Sequence, residues 1–116
     1  MKPEAFFDVA EGLLAVGCEA SCRSAASRVY YSTFHVARDA TEQVDLIDPP
    51  RGSHQLVRAK VGKRFGRRMQ NTLRTMSARR NEADYDIDEP FGKDDAVQLI
   101  ELRRLFLEEL ASRQNR

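Results

Sequence analysis

The chain has 116 residues and a formal net charge of +1, and it holds no apolar run long enough to span a membrane. One domain with a single modest core is expected, and the amphipathic, acidic start MKPEAFFDVAEGLLAV does not read as a secretory signal, which leaves the cytoplasm as the default address. Cys18 and Cys22 lie four apart rather than as CxxC and are accompanied by only two histidines, so they read as small reduced thiols, and no metal or cofactor is expected.

Residues 3 to 16 place Phe6, Val9, Ala10 and Leu13 on one helical face, with Pro3 in the first turn and Gly17 as the stop. The longest periodic segment follows at residues 20 to 45, where Ala26, Val29, Tyr30, Thr33, Ala37, Ala40 and Val44 share one stripe. Small residues dominate that stripe, so a neighbouring helix can approach closely. The opposite side carries Arg28, Tyr31, His35, Arg38 and Glu42. Two readings of it stay open: a solvated face in which Arg38 pairs with Glu42 at i,i+4, or a groove or subunit contact lined by Arg28, Tyr31 and His35.

The Pro49-Pro50 pair must end any helix, because proline lacks a backbone donor and constrains the residue before it. Ser53 then reads as the N-cap of a third helix from His54 to about Arg67, with Val57, Val61 and Phe65 toward the core and Lys60, Lys63, Arg64 and Arg67 on a basic stripe. Gly62 and Gly66 weaken this helix, and a break is expected near Gly66. A fourth helix runs from Arg68 to Ala83, and along it Met69, Leu73, Met76 and Arg80 fall on one stripe, so that an arginine continues an apolar face. The polar stretch from Asp84 to Gly92 reads as a loop. A last helix over 93 to 112 has Asp94 and Asp95 near its positive end. It presents a wide apolar surface of Val97, Leu99, Ile100, Leu102, Leu105, Phe106 and Leu110, and residues 111 to 116 read as a frayed tail. The expected fold is an all-α, up-and-down bundle of four to five helices that dimerises.

Charge is divided along the chain: Arg51 to Arg80 holds ten Lys or Arg and no acid, whereas Glu82 to Glu109 holds ten acids. The basic block is either a phosphate-binding surface or a surface paired with acidic groups of this fold or of a partner.

Together, Ser24-Ala25-Ala26-Ser27-Arg28-Val29-Tyr30-Tyr31-Ser32-Thr33-Phe34-His35-Val36-Ala37-Arg38, the Ser53-His54 helix start and Arg80-Asn81-Glu82-Ala83-Asp84-Tyr85-Asp86 resemble the HEPN superfamily, in its small bacterial and archaeal branch associated with minimal nucleotidyltransferases. The resemblance implies a dimerising helical domain of toxin–antitoxin or phage-defence type that acts on RNA. In active relatives an arginine followed by four to six residues and a histidine forms a metal-independent ribonuclease site. In this chain Arg80 and Asn81 match the front of that motif, and Tyr85 stands among the positions where the histidine belongs. Such cleavage needs a base for the 2′-OH, an acid for the leaving 5′-oxygen and positive charge on the phosphate. Tyrosine, protonated at neutral pH, is a donor rather than a base, so His35 or His54 is the candidate for the missing group. The candidate catalytic set is therefore Arg80, Asn81, Tyr85, His35 and His54, with Arg28, Tyr31, Lys60, Lys63, Arg64, Arg67 and Arg79 as RNA or phosphate ligands. The alternatives are an RNA- or nucleotide-binding module that does not cleave, and a partner for a nucleotidyltransferase-type antitoxin.

Overall fold

In the computed structural model, which describes residues 1–114, there are five helices, four of them packed around a central one: α1 (Glu4–Val16), α2 (Glu19–Ala40), α3 (Ser53–Phe65), α4 (Arg67–Tyr85) and α5 (Lys93–Gln114). There is no strand among the described residues, and the expected all-α fold is observed. The small-residue stripe explains why α2 is the centre: Ala25, Ala26, Val29, Tyr30, Thr33 and Ala37 are fully buried, and α2 touches all four other helices. Around it close Val57, Val61 and Phe65 of α3, Met69, Leu73 and Met76 of α4, and Leu99, Phe106 and Leu110 of α5.

The tight junctions follow from local chemistry. Gly17 ends α1 with φ +84°, a left-handed conformation open to glycine at no steric cost, and Gly66 separates α3 from α4 with φ +101°. At the start of α5 the Asp95 carboxylate accepts the Gly92 N–H at 2.8 Å, satisfying a backbone donor just before the helix.

Several boundaries and faces differ from the expectation. Helix α2 stops at Ala40 rather than near residue 45; Thr41 is buried there, its hydroxyl donating to the Ala37 carbonyl at 2.8 Å, and Val44 lies beyond the helix. Arg38 and Glu42 consequently do not share a helix, and they form no ion pair among the described residues. Ser53 is the first helical residue of α3, and Gly52 occupies the N-cap position without a side-chain bond. Helix α4 begins at Arg67 and continues through Asp84 and Tyr85, in place of the expected loop. On α1, Val9 is exposed and Phe7 packs against the core instead, while on α5 Val97 and Leu105 point to solvent. Helix α5 is still regular at Gln114; the remainder of the expected frayed tail lies outside the described residues. Cys18 is exposed, Cys22 is buried, and both are free thiols.

The long reach of α4 depends on an arginine from α2. Arg23, almost buried, donates from Nη1 to the carbonyls of Glu82 at 3.2 Å and Ala83 at 2.9 Å, and from Nη2 to the carbonyl of Glu89. Its guanidinium also lies over the Phe91 ring. One cation thus joins the Asp86 N–H on the Glu82 carbonyl, gives the Ala83 carbonyl of the last turn of α4 a donor, and ties down the following loop, whose Phe91 N–H is accepted by Glu19 at 3.2 Å. None of the described helices is long and apolar enough to cross a membrane.

Candidate functional site

The niche forms where the N-terminal turn of α3, the middle of α2 and the C-terminal half of α4 meet. Tyr30 is its floor. The stripe that buries Tyr30 completely leaves its hydroxyl 2.6 Å from His54 Nδ1, and the two rings stack at 5.6 Å between centroids. Phe34, one turn further along α2, also stacks on His54, with centroids 4.3 Å apart. The imidazole is therefore fixed in position by aromatic contacts and a hydrogen bond before any ligand arrives.

Arg80 approaches the same rings from α4. Its guanidinium carbon lies 5.1 Å from the Tyr30 centroid and 5.4 Å from that of Tyr31, distances at which a cation is attracted by the ring face. Nη1 donates to Asp84 Oδ2 at 3.4 Å, one helical turn on, a pairing possible because α4 continues past Ala83. The residue is 9% exposed, and its Nε is buried with no partner. The same Asp84 carboxylate accepts from the Ser27 hydroxyl of α2 at 3.3 Å, which closes the niche on that side.

The electrostatics follow from this packing. Partial burial pushes the His54 imidazole below its ordinary titration range, and the positive charges of Arg80 and Arg58 push it the same way. His35 is also lowered, again mainly by burial, with Arg38 adding to the effect and Asp39 opposing it. Burial raises Tyr30, against the influence of Ser77, Arg58 and Arg80, so its hydroxyl keeps its proton. Arg58 donates to Ser77 Oγ at 3.4 Å behind the niche, and both side chains oppose the effect of burial on Tyr30. When Nδ1–H donates to the Tyr30 oxygen, Nε2 carries the free lone pair and is a base; in the other tautomer Nε2–H is a donor.

Of the residues expected to act in catalysis, the structure brings Arg80 and His54 to the same tyrosine ring, with His35 one step away: its ring lies against Phe34 and Tyr31 and stacks on Phe6 of α1 at 5.4 Å. Asn81 and Tyr85 are not brought in. Both are exposed, Tyr85 to 71%, because the face of α4 that buries Arg80 and Ala83 turns the neighbouring positions outward. Among the expected phosphate ligands, Tyr31 lines the niche, and Arg28 lies at its edge over the Phe6 ring at 5.9 Å. Lys63 donates to the Asp45 carbonyl and Arg64 to the Ala40 carbonyl, so both hold the end of α2 and the loop after it. Arg79 is paired with Glu82 at 2.9 Å. Lys60 is partly exposed and Arg67 exposed, and neither forms an ion pair among the described residues.

Residues absent from the expected set also belong to the niche. Tyr30 reads as core from its stripe, and only the tertiary contact reveals that its hydroxyl serves His54. Arg58 and Ser77 lie off the stripes that periodicity singles out, and Phe6 reads as an ordinary apolar position of α1. Among the described residues no three His, Cys, Asp or Glu side chains converge in a way that would hold a metal ion. Compared with family models, with curated proteins and with solved structures, the chain finds no match in any of the three.

Proposed function

We propose that the chain is a HEPN-type domain of the toxin–antitoxin or defence kind, and that it acts on RNA at the Arg80–His54 niche as a metal-independent endoribonuclease. The observation that carries this reading is the convergence of Arg80 and His54 on Tyr30 from separate helices: a cation 5.1 Å from the ring and an imidazole 2.6 Å from its hydroxyl. His54 then takes the place of the histidine that the Arg80 motif lacks. A phosphodiester seated at the open side of Arg80 has its developing negative charge stabilised by the guanidinium. His54 Nε2 accepts the 2′-OH proton as that oxygen attacks phosphorus, and the 5′-oxygen leaves with a proton from Tyr31 or water, giving a 2′,3′-cyclic phosphate and a free 5′-hydroxyl. The lowered titration of His54 suits the base role, because the neutral form is then the one present at pH 7.

A second reading, RNA binding without cleavage, is favoured by the Asp84 contact, which occupies one nitrogen of an arginine that is already almost buried. Labelled RNA incubated with the purified protein, with and without chelator, separates the two. Cleavage with cyclic-phosphate ends that survives chelator and is reduced at least a hundredfold in His54→Ala and in Arg80→Lys supports the enzyme. Intact RNA that is bound in an Arg80-dependent way supports the binding module. Cleavage indifferent to the loss of His54 rules out that residue as the base.

A further inference from the structure

Beside the Phe34–His54 stack lies a cavity of about 340 Å³ between the C-terminal half of α2 and the start of α3. Phe34 and Val57 are buried in its floor and Leu56 forms a wall, whereas Arg38, Glu42 and Lys60 stand at its mouth. The volume and make-up suit one nucleotide: a flat apolar base against Phe34, Leu56 and Val57, and a phosphate at the two cations. Neither Arg38 nor Lys60 is used in an ion pair among the described residues, in contrast with Arg79 and Arg104, which are held by glutamates on their own helices. The end of α2 at Ala40 bears on this arrangement. It removes Glu42 from the helical register that would have paired it with Arg38, leaving the guanidinium without that partner and a carboxylate at the same mouth to accept from an exocyclic amine.

Continuity with the niche identifies the occupant. Phe34 belongs to both places, packed on the His54 imidazole at 4.3 Å and lining the cavity as well. We infer that this cavity is a subsite for the RNA nucleotide flanking the phosphate held at Arg80, with the base on Phe34 and Leu56 and the next phosphate at Lys60 and Arg38. The assignment rests on the RNA reading of the niche. Because the base enters a cavity, the nucleotide it takes must be unpaired and unstacked from its neighbour.

The test uses a 2′-O-methyl RNA hexamer, which lacks the attacking hydroxyl and stays intact, with its affinity followed by fluorescence anisotropy at low salt. Leu56→Trp fills the cavity without changing charge, Lys60→Glu reverses the charge at its mouth, and Arg80→Ala reports on the niche; circular dichroism checks that each variant is folded. Weakening of tenfold or more in all three variants is the expected result. If Arg80→Ala weakens the hexamer and the two cavity variants do not, the subsite is wrong and the niche reading stands. If Arg80→Ala has no effect, the niche reading itself fails, whatever the cavity variants do, and the subsite falls with it. The four nucleoside 5′-monophosphates form the second arm. Binding of a monophosphate that depends on Leu56 and Lys60, with hexamer binding unaffected by either, would make this a site for a free nucleotide and overturn the proposal as an RNA subsite.

Discussion

His54 gains its character from what surrounds it rather than from its place in the sequence. Tyr30 fixes the ring through Nδ1, Phe34 covers it, and Arg80 and Arg58 set positive charge nearby, so the protonated form is disfavoured in the folded chain. The sign of the consequence is definite. A histidine lowered from its ordinary value of 6.5 binds fewer protons folded than unfolded, so its contribution to stability is complete above that value and is lost as pH falls through the lowered one. His35 is lowered too and acts in the same direction. Urea unfolding at pH 7.5 and pH 5.5 is therefore expected to show the wild type losing stability on acidification, and His54→Gln losing less. An equal loss in both proteins would mean that the environment of His54 does not differ between the folded and unfolded chain. Periodicity along the chain reveals little of this, because Tyr30 and His54 are far apart in sequence and meet only when α3 folds back on α2.

At the scale of elements, the two ends of α4 are decided by single residues. Gly66 holds φ +101° between α3 and α4, a conformation in which an added Cβ is strained even where there is space for it. Gly66→Ala should lower stability by about 1–2 kcal/mol, read as a shift in the urea midpoint without change of slope. At the other end Arg23 closes the helix by donating to the carbonyls of Glu82, Ala83 and Glu89. Arg23→Ala removes a nearly buried cation and takes the side-chain donor from the Ala83 and Glu89 carbonyls, while Glu82 keeps the Asp86 N–H, at an expected cost of about 2–4 kcal/mol. Hydrogen exchange of the amides from Asp84 to Phe91 should accelerate more than that of α2. The glycine break is legible in the sequence, since glycine is poor inside a helix and free at positive φ. The extension of α4 to Tyr85 is not. Residues 84 to 89 are polar enough to read as loop, and it is an arginine from another helix that keeps their first turn helical. That extension in turn puts Asp84 one turn beyond Arg80, where the two side chains pair.

At the scale of the whole molecule, the basic block divides by function. Lys63 and Arg64 serve backbone carbonyls at the negative end of α2 and in the loop after it, Arg79 serves Glu82, and Arg68 approaches Glu109 of α5 at 3.9 Å. The cations placed for a ligand are Arg28 at the edge of the niche, Arg38 and Lys60 at the mouth of the cavity, and Arg80 inside the niche. Under the proposed action on RNA, the salt dependence of binding should then be shallow. Four phosphate contacts to a single strand give a slope of about −3 in log affinity against log salt, well short of what the full basic block would produce. Measurement of affinity across a salt series checks this, and a slope twice as steep would mean that Lys63, Arg64 and Arg79 leave their partners to bind RNA. The outward Val97 and Leu105 of α5 belong to this scale as well: the wide apolar pattern of that helix exceeds what one bundle buries.

The sequence by itself determined the helical class, the small-residue stripe of α2, the core stripes of α3 and α4, and the unusual position of Arg80 at the end of an apolar face. These are local properties, carried by spacing at the helical period and by glycine and proline, and they do not require knowledge of what a helix meets. Only the tertiary structure decided which histidine stands beside Arg80, that Tyr85 turns away from it while Asp84 turns toward it, and which cations are already engaged. Each of those outcomes depends on contacts that the helical period alone does not specify. The stripe that ends in Arg80 is thus legible in sequence order, whereas the approach of His54 from α3 to the same Tyr30 ring is not.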